Sequence, residues 1–310
     1  MSRGLHRFAL LVTCATFILI VAGALVTSNG AGLAAPDWPL SWGQVFPPMV
    51  GNLFYEHGHR LIATTVGMLT IALNVWLWRS ERRQWVRRLG LVALAGVIAQ
   101  GLLGGLTVKL MLPLWVSSAH ACLAQLFFCT LVSLSVFTAP GWGEPREALE
   151  ERDGPSLRHL CAAAFAVTFM QLVLGATLRH SASWDQHLPI NLVLAHIGGA
   201  ALVTLVAGGT LMTVLRRHGR DAYLARPAMI GVLLLGLQLC LGLAAYLARR
   251  ASPDDPQPLK PTVMITVAHV ACGALVLATI VVLTLRVYRR LRPMHAAFGV
   301  TTRAAAERAA

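Results

Sequence analysis

Long apolar runs alternate with short polar stretches along almost the whole chain. Eight of them reach the roughly 20 residues that a helix needs to cross a bilayer. They cover about 8–27, 60–78, 89–108, 114–138, 159–178, 190–215, 228–248 and 262–287, and none carries a charge near its middle. The pattern predicts an all-α integral membrane protein with eight transmembrane helices. The first run follows Arg3 and Arg7 in the manner of a signal peptide. No small-residue cleavage site followed by a soluble domain comes after it, so it is read as a retained span.

Composition agrees with this reading. Of 310 residues, 56% are hydrophobic and 13% charged, with a mean hydropathy of +0.65. Soluble domains carry about 25% charged residues, and a disordered chain does not hold this much apolar surface. The formal charge of +13 would suggest nucleic acid on a soluble protein. Here 20 of the 26 basic residues fall on one side of the predicted spans, among them Arg79, Arg82, Arg83, Arg146, Arg152, Arg216, Arg217, Arg289, Arg303 and Arg308. Arg60, Lys109, Arg179, Arg249, Arg250 and Lys260 lie on the other. The positive-inside rule then places both termini in the cytoplasm, and nucleic acid is not needed to explain the charge. All eight Trp sit in loops or near span ends, as interfacial anchors do. The six Cys fall within predicted helices without a CxxC pattern, which reads as small apolar core residues.

Three odd-numbered helices repeat a Q-x-x-x-G pattern near their outer ends: Gln100–Gly104, Gln171–Gly175 and Gln238–Gly242. The first helix keeps Gly23, with Leu19 in place of the Gln. Each is followed by an outer loop and then a helix with a histidine near its outer end: His59, His120, His196 and His269. The chain therefore reads as four hairpins, each delivering one His at similar depth. The polar inner loop 139–158 divides them into two pseudo-symmetric four-helix bundles, residues 1–145 and 146–310, as expected of a tandem duplication. Four residues after each His stands a small residue, Ala63, Ala124, Ala200 or Gly273. That position lies one turn along the same face, where a flat macrocycle would need room.

An ionisable side chain inside a span is costly and points to function. One such His is readily explained by a bond to a neighbouring helix; four at matched positions are not. Haem fits them best, because its iron takes axial ligands on opposite faces and bundle cores hold such cofactors. Zinc would want three or four ligands on one centre, and copper would recruit Cys or Met. The expected pairs are His59 with His120 and His196 with His269, as axial ligands of two haem irons.

The first half differs from the second. Its outer loop, about 28–58, is the longest and ends in Glu56-His57-Gly58-His59-Arg60. Glu56 precedes His59 by three residues, on the same face if the helix has begun. Ser117, Val193 and Thr266 stand at that place in the other repeats. A carboxylate at one site alone suggests chemistry there, and structure or electron transfer at the other. The alternative for Glu56 is favourable charge at a helix N-terminus. Arg60 is a candidate partner for a haem propionate. His57 reads as a loop or interfacial residue, and His6, His159, His180, His187, His218 and His295 as solvated.

With these residues in place the chain resembles the haem A synthase family. The E-x-x-H-R motif is Glu56-His57-Gly58-His59-Arg60, and Gly32-Leu33-Ala34-Ala35-Pro36-Asp37-Trp38-Pro39-Leu40 is similar to the family's G-L-x-C-P-D-W-P-L segment. His120, His196 and His269 match the single histidines of the fourth, sixth and eighth helices. The resemblance implies oxidation of the C8 methyl of haem O to the formyl group of haem A by successive hydroxylations, for use in terminal oxidases. It implies substrate haem at His59 and His120, a resident haem b at His196 and His269, and proton removal or charge stabilisation by Glu56. It also implies a bacterial-type cell (inner) membrane. Contact with the protohaem farnesyltransferase or the terminal oxidase follows from pathway logic alone. Many family members carry a Cys pair in the first outer loop; here Ala35 and Ser41 stand there, so loop thiols have no redox role in this chain. The rival reading is a di-haem cytochrome b that passes electrons without altering its haems, which leaves Glu56 and the long loop unexplained. A repeat-built transporter would need helix breaks and charges at the midplane. Gly198, Gly199, Gly208 and Gly209 suit close helix contacts, within one chain or in a homo-oligomer.

Overall fold

The computed structural model describes residues 3–144, 147–151, 154–181, 189–251 and 259–292. Eight helices fill almost all of this: α1 (Arg3–Ser28), α2 (Gly51–Ser80), α3 (Gln84–Lys109), α4 (Leu114–Thr138), α5 (Leu157–Ser181), α6 (Ile190–His218), α7 (Ala222–Ala251) and α8 (Lys260–Arg290). All are long and apolar enough to cross a membrane, so this is an all-α, multi-pass membrane protein. At 1.5 Å per residue a 25-residue helix is about 38 Å long, more than the ~30 Å hydrocarbon core. The helices therefore continue past their apolar runs into the headgroup layer. The difference is greatest in α2, which begins at Gly51 and not near 60.

Lipid offers no hydrogen bonds, so polar groups must be satisfied within the protein. Thr13, Thr16, Thr70 and Thr138 each donate to the carbonyl four residues earlier in their own helix. Pro113 and Pro189 cap the starts of α4 and α6, and a proline opens α8. Proline suits these places because the first helical N–H groups have no intrahelical acceptor. In α6 a π turn at Thr204–Gly208 interrupts a span expected to be regular.

Helices α1 to α4 form a ring in chain order, α4 closing on α1, and α5 to α8 form a second ring, α8 closing on α5. Leu73, Leu77, Leu131 and Leu134 are buried in the first. Leu211, Leu224 and Leu283 are buried in the second. Ile20, Phe128 and Val132 of the first ring meet Leu277 and Val281 of α8, which makes α8 the seam. The 145/146 boundary expected from the sequence lies outside the described residues.

At the arginine-rich end, Arg217 donates to Pro155 O at 2.9 Å, Arg289 to Glu144 O at 3.0 Å, and Arg290 pairs with Asp221 at 2.8 Å. Leu149–Glu150 runs parallel to Leu291–Arg292. The surplus positive charge thus also ties the inner loop to helix ends. Arg146, Arg152, Arg303, Arg308, Trp184, His187 and His295 lie outside the described residues.

Candidate functional site

Each of the four histidines lies about two turns from the start of its helix, and each faces a glycine of the preceding helix. A Cβ on Gly23 would stand 3.2 Å from His59 Nε2, and one on Gly104 3.3 Å from His120 Cε1. On Gly175 it would be 3.0 Å from His196 Cε1, and on Gly242 2.9 Å from His269 Cε1. Carbon atoms in contact prefer about 3.5–4.0 Å, so any larger residue would push the ring away. The glycine of each repeat is a seat for the imidazole of the next helix.

The glutamines complete three of these seats. Gln100 Nε2 donates to His120 O at 3.0 Å. Gln171 Nε2 donates to His196 O at 2.8 Å and reaches Nδ1 of the same ring at 3.1 Å. Gln238 Nε2 lies 3.3 Å from His269 Nε2. His59 has Leu19 in this place and lacks such a partner. Of the small residues four positions beyond the histidines, Gly273 stands beside a glutamine. The Gln238 amide lies 3.1 Å from where a Cβ on Gly273 would be, and the Gln171 amide fills the space beside Gly199. No atom lies within 4 Å of a Cβ on Gly198 or Gly209.

The rings also approach one another in pairs. The centroids of His196 and His269 are 6.3 Å apart at 75°, and His120 is the imidazole within electrostatic range of His59. Metal–imidazole bonds are about 2 Å long, so 6.3 Å admits one metal atom between two rings. Nδ1 of His120 and of His269, and Oε1 of Gln100, Gln171 and Gln238, are buried without a hydrogen-bond partner. Such atoms cost about 1–3 kcal/mol each unless a ligand engages them. No group of three or more His, Cys, Asp or Glu converges among the described residues. Two imidazoles and no third protein ligand suit an iron whose remaining ligands belong to a macrocycle.

Glu56 and its neighbours form a network that the repeats elsewhere lack. Glu56 is 4% exposed and sits in the second turn of α2, past the first-turn position where helix N-terminal charge acts. Its Oε2 accepts the N–H of Ala35 at 2.9 Å, and Oε1 pairs with Arg60. Arg60 also donates to Asp37 O at 2.8 Å, to Leu40 O and to Ser41 Oγ at 3.1 Å. It is therefore engaged by the first outer loop as well as by Glu56. His57 is not an interfacial loop residue: it is 3% exposed within α2, with Nδ1 2.9 Å from Ser41 Oγ and Nε2 3.0 Å from Val45 O. Signals for both lay in the loop's polar residues, but their pairing is not local in sequence.

The loop itself turns at Ser41–Gln44, where Trp42 (φ 55°) and Gly43 (φ 69°) both take positive φ, as a tight primed turn requires. Asp37 accepts their N–H groups at 2.7 and 2.8 Å. The Gly43 N–H, with lesser help from Trp42 and Arg60, outweighs desolvation and holds the Asp37 carboxyl below its ordinary value. The Trp38 indole packs so closely on Gly105 that a Cβ there would stand 2.7 Å from it. The loop thus lies on α3 one residue from the seat of His120.

Other histidines also depart from expectation. His6 Nδ1 lies 3.0 Å from Ser135 O, linking α1 to α4, and His218 is buried. His180 is half-buried in α5, beside Arg179 and within electrostatic range of His120. His159 is exposed, as expected. Arg179, four residues past the Gly175 seat, donates to Ser28 Oγ and lies in electrostatic range of His269. The described cysteines are all free and all in helices.

Fold and site together define a class: a multi-pass helical membrane protein with two pairs of seated histidines toward one end. The sequence model of the COX15-CtaA family, described as "Cytochrome oxidase assembly protein", matches residues 49–186, a stretch that holds Glu56, His59, Arg60 and His120. A protein named Heme A synthase from Symbiobacterium thermophilum is 29% identical over 265 residues, 77% of this chain and 85% of that one. The Heme A synthase of Bacillus licheniformis is 26% identical over 187 residues, 59% of this chain and 61% of the relative. That of Shouchella clausii is 33% identical over 138 residues, 44% and 46%. These last two matches span less than two thirds of each relative's length. The chain is thus similar to proteins named Heme A synthase, most strongly over its first half and at lower identity over most of its length.

Proposed function

We propose that this chain is a haem A synthase, an oxidoreductase that converts the C8 methyl group of haem O to a formyl group. The observation that carries the reading is one buried outer-end carboxylate, Glu56, beside one of two glycine-seated histidine pairs in a chain whose relatives bear that name. His59 and His120 would hold the substrate haem O, and His196 and His269 a resident haem b. When bound, haem b supplies one-electron transfer. The two halves, 1–145 and 146–310, would then be duplicated bundles with divided tasks, substrate conversion and electron relay.

The chain's own groups fit those tasks. Neutral imidazoles are good axial ligands, and the glycine seats fix their rings before any ligand arrives. Turning a methyl into a formyl group adds one oxygen atom, passes four electrons to an external acceptor and releases protons. Glu56, buried and hydrogen-bonded to the loop, can accept a proton or stabilise developing positive charge in low dielectric. Arg60 fixes Glu56 and closes the outer loop over the site. Arg179 is the cation placed near the His196–His269 pair for an acidic substituent of a macrocycle. The charge bias supports a reading with both termini in the cytoplasm and the site near the outer face.

The test is to extract haem from haem O-producing cells with and without the chain, and to separate haems B, O and A. Haem A only when the chain is present is the expected result. Unchanged haem O together with two bound haem b would favour the di-haem electron carrier.

A further inference from the structure

At the arginine-rich end a cleft of about 610 Å³ opens between the start of α7 and the end of α8. Its origin lies in one residue. Pro227 has no N–H, so the Tyr223 carbonyl one turn earlier loses its helical donor. Arg286 of α8 supplies the missing bond, Nη1 to Tyr223 O at 2.9 Å. Its guanidinium also stacks over the Tyr223 ring at 4.7 Å. The cation is thereby fixed at the mouth of the cleft. Arg226 lines the same mouth, is exposed, and makes no ion pair with a described residue.

Below these two cations the walls turn apolar. Ile230 of α7 and Leu275, Ala278 and Val282 of α8 line the depth of the cleft. From Arg286 to Leu275 is about 16 Å along the helix, close to half the hydrocarbon thickness. We propose that this cleft binds one anionic phospholipid, its phosphate between Arg226 and Arg286 and one acyl chain along the α7–α8 groove. A small soluble anion would satisfy the cations and leave the apolar walls uncovered. A zwitterionic lipid would cover the walls and bring no net charge to the mouth. The chain's own tail beyond Arg292 carries Arg303 and Arg308 against Glu307, so like charge opposes it there. Basic pockets between spans at the inner surface take anionic headgroups for these reasons.

The test uses the full chain in nanodiscs of phosphatidylcholine with or without phosphatidylglycerol, read by native mass spectrometry after transfer to detergent. The expected result is one retained phosphatidylglycerol per chain, favoured over phosphatidylcholine by about tenfold or more. Arg226→Glu should lose that preference, whereas Arg79→Glu, an exposed arginine outside the cleft, should keep it. Ile230→Trp fills the groove without touching the cations and should also expel the lipid, which covers the case in which Arg226→Glu folds poorly. Equal retention of the two lipids, an unchanged preference in both cleft variants, or displacement of the lipid by inorganic phosphate alone would overturn the proposal.

Discussion

The two rings of helices present the same histidine pair in different settings. In the second, His196 and His269 each have a glutamine from the preceding helix and the tightest glycine seats, and their rings face one another. In the first, His59 has no glutamine, and a 22-residue loop is clamped over the pair by Glu56, His57 and Arg60. A second set of fixed rings suits a permanently held group. A looser ring beneath a polar lid suits a molecule that enters, reacts and leaves. Under the proposed function, duplicated architecture would permit divided labour, with the shared parts holding and the unshared parts converting.

The strongest way to break this comparison is Glu56→Gln. If the first half carries the chemistry, conversion of haem O should fall on the order of 10² to 10⁴-fold, with haem content per chain unchanged. Normal haem A formation would remove Glu56 from the reaction. Next, His269→Ala should lose most of the haem b absorbance of purified protein, while His59→Ala should leave that band in place. Equal loss in both variants would mean that the halves are not independent sites.

The glycine seats give a graded test. Gly242→Ala and Gly175→Ala place a methyl 2.9 and 3.0 Å from the ring and should weaken haem retention by about tenfold, the cost of a modest overpacking. Gly23→Ala and Gly104→Ala, at 3.2 and 3.3 Å, should cost less. A reversed order, read by haem titration, would show that the seats do not set the rings. Ser41→Ala should weaken the lid by about 1–2 kcal/mol, because it leaves a buried His57 nitrogen unpaired. Faster proteolysis of the loop, with an unaltered haem b spectrum, is the expected signature.

The smallest effect concerns acid. Asp37 has a lowered carboxyl pKa, chiefly through the Gly43 N–H. Its contribution to the loop is therefore complete above the unfolded value, about pH 3.9, and is lost as pH falls through the lower folded value. Trp42 fluorescence should stay constant from neutral pH to about pH 4 and change only in stronger acid. A transition at pH 5 to 6 would point to another group.

The eight spans were legible because apolar length is a local property and lipid enforces it. The start of α2 was not: residues 51–58, with Glu56 and His57, read as loop, yet they are helical because loop carbonyls and hydroxyls meet those polar groups from the side. The Q-x-x-x-G repeat was visible, but its meaning was not, since each glycine serves a ring on the next helix. The loop bonds of Arg60 were hidden for the same reason, its partners lying some twenty residues earlier in a loop without regular structure. The π turn in α6 left no periodic mark at all.

The clasp over the first half is held by a carboxylate, an imidazole, a guanidinium and a hydroxyl, with alanine and serine at Ala35 and Ser41. Residues 29–50 contain no sulfur donor besides Met49. Its closure is therefore indifferent to the oxidising or reducing balance of its surroundings: dithiothreitol, glutathione and oxidants of thiols find no bond there to make or break.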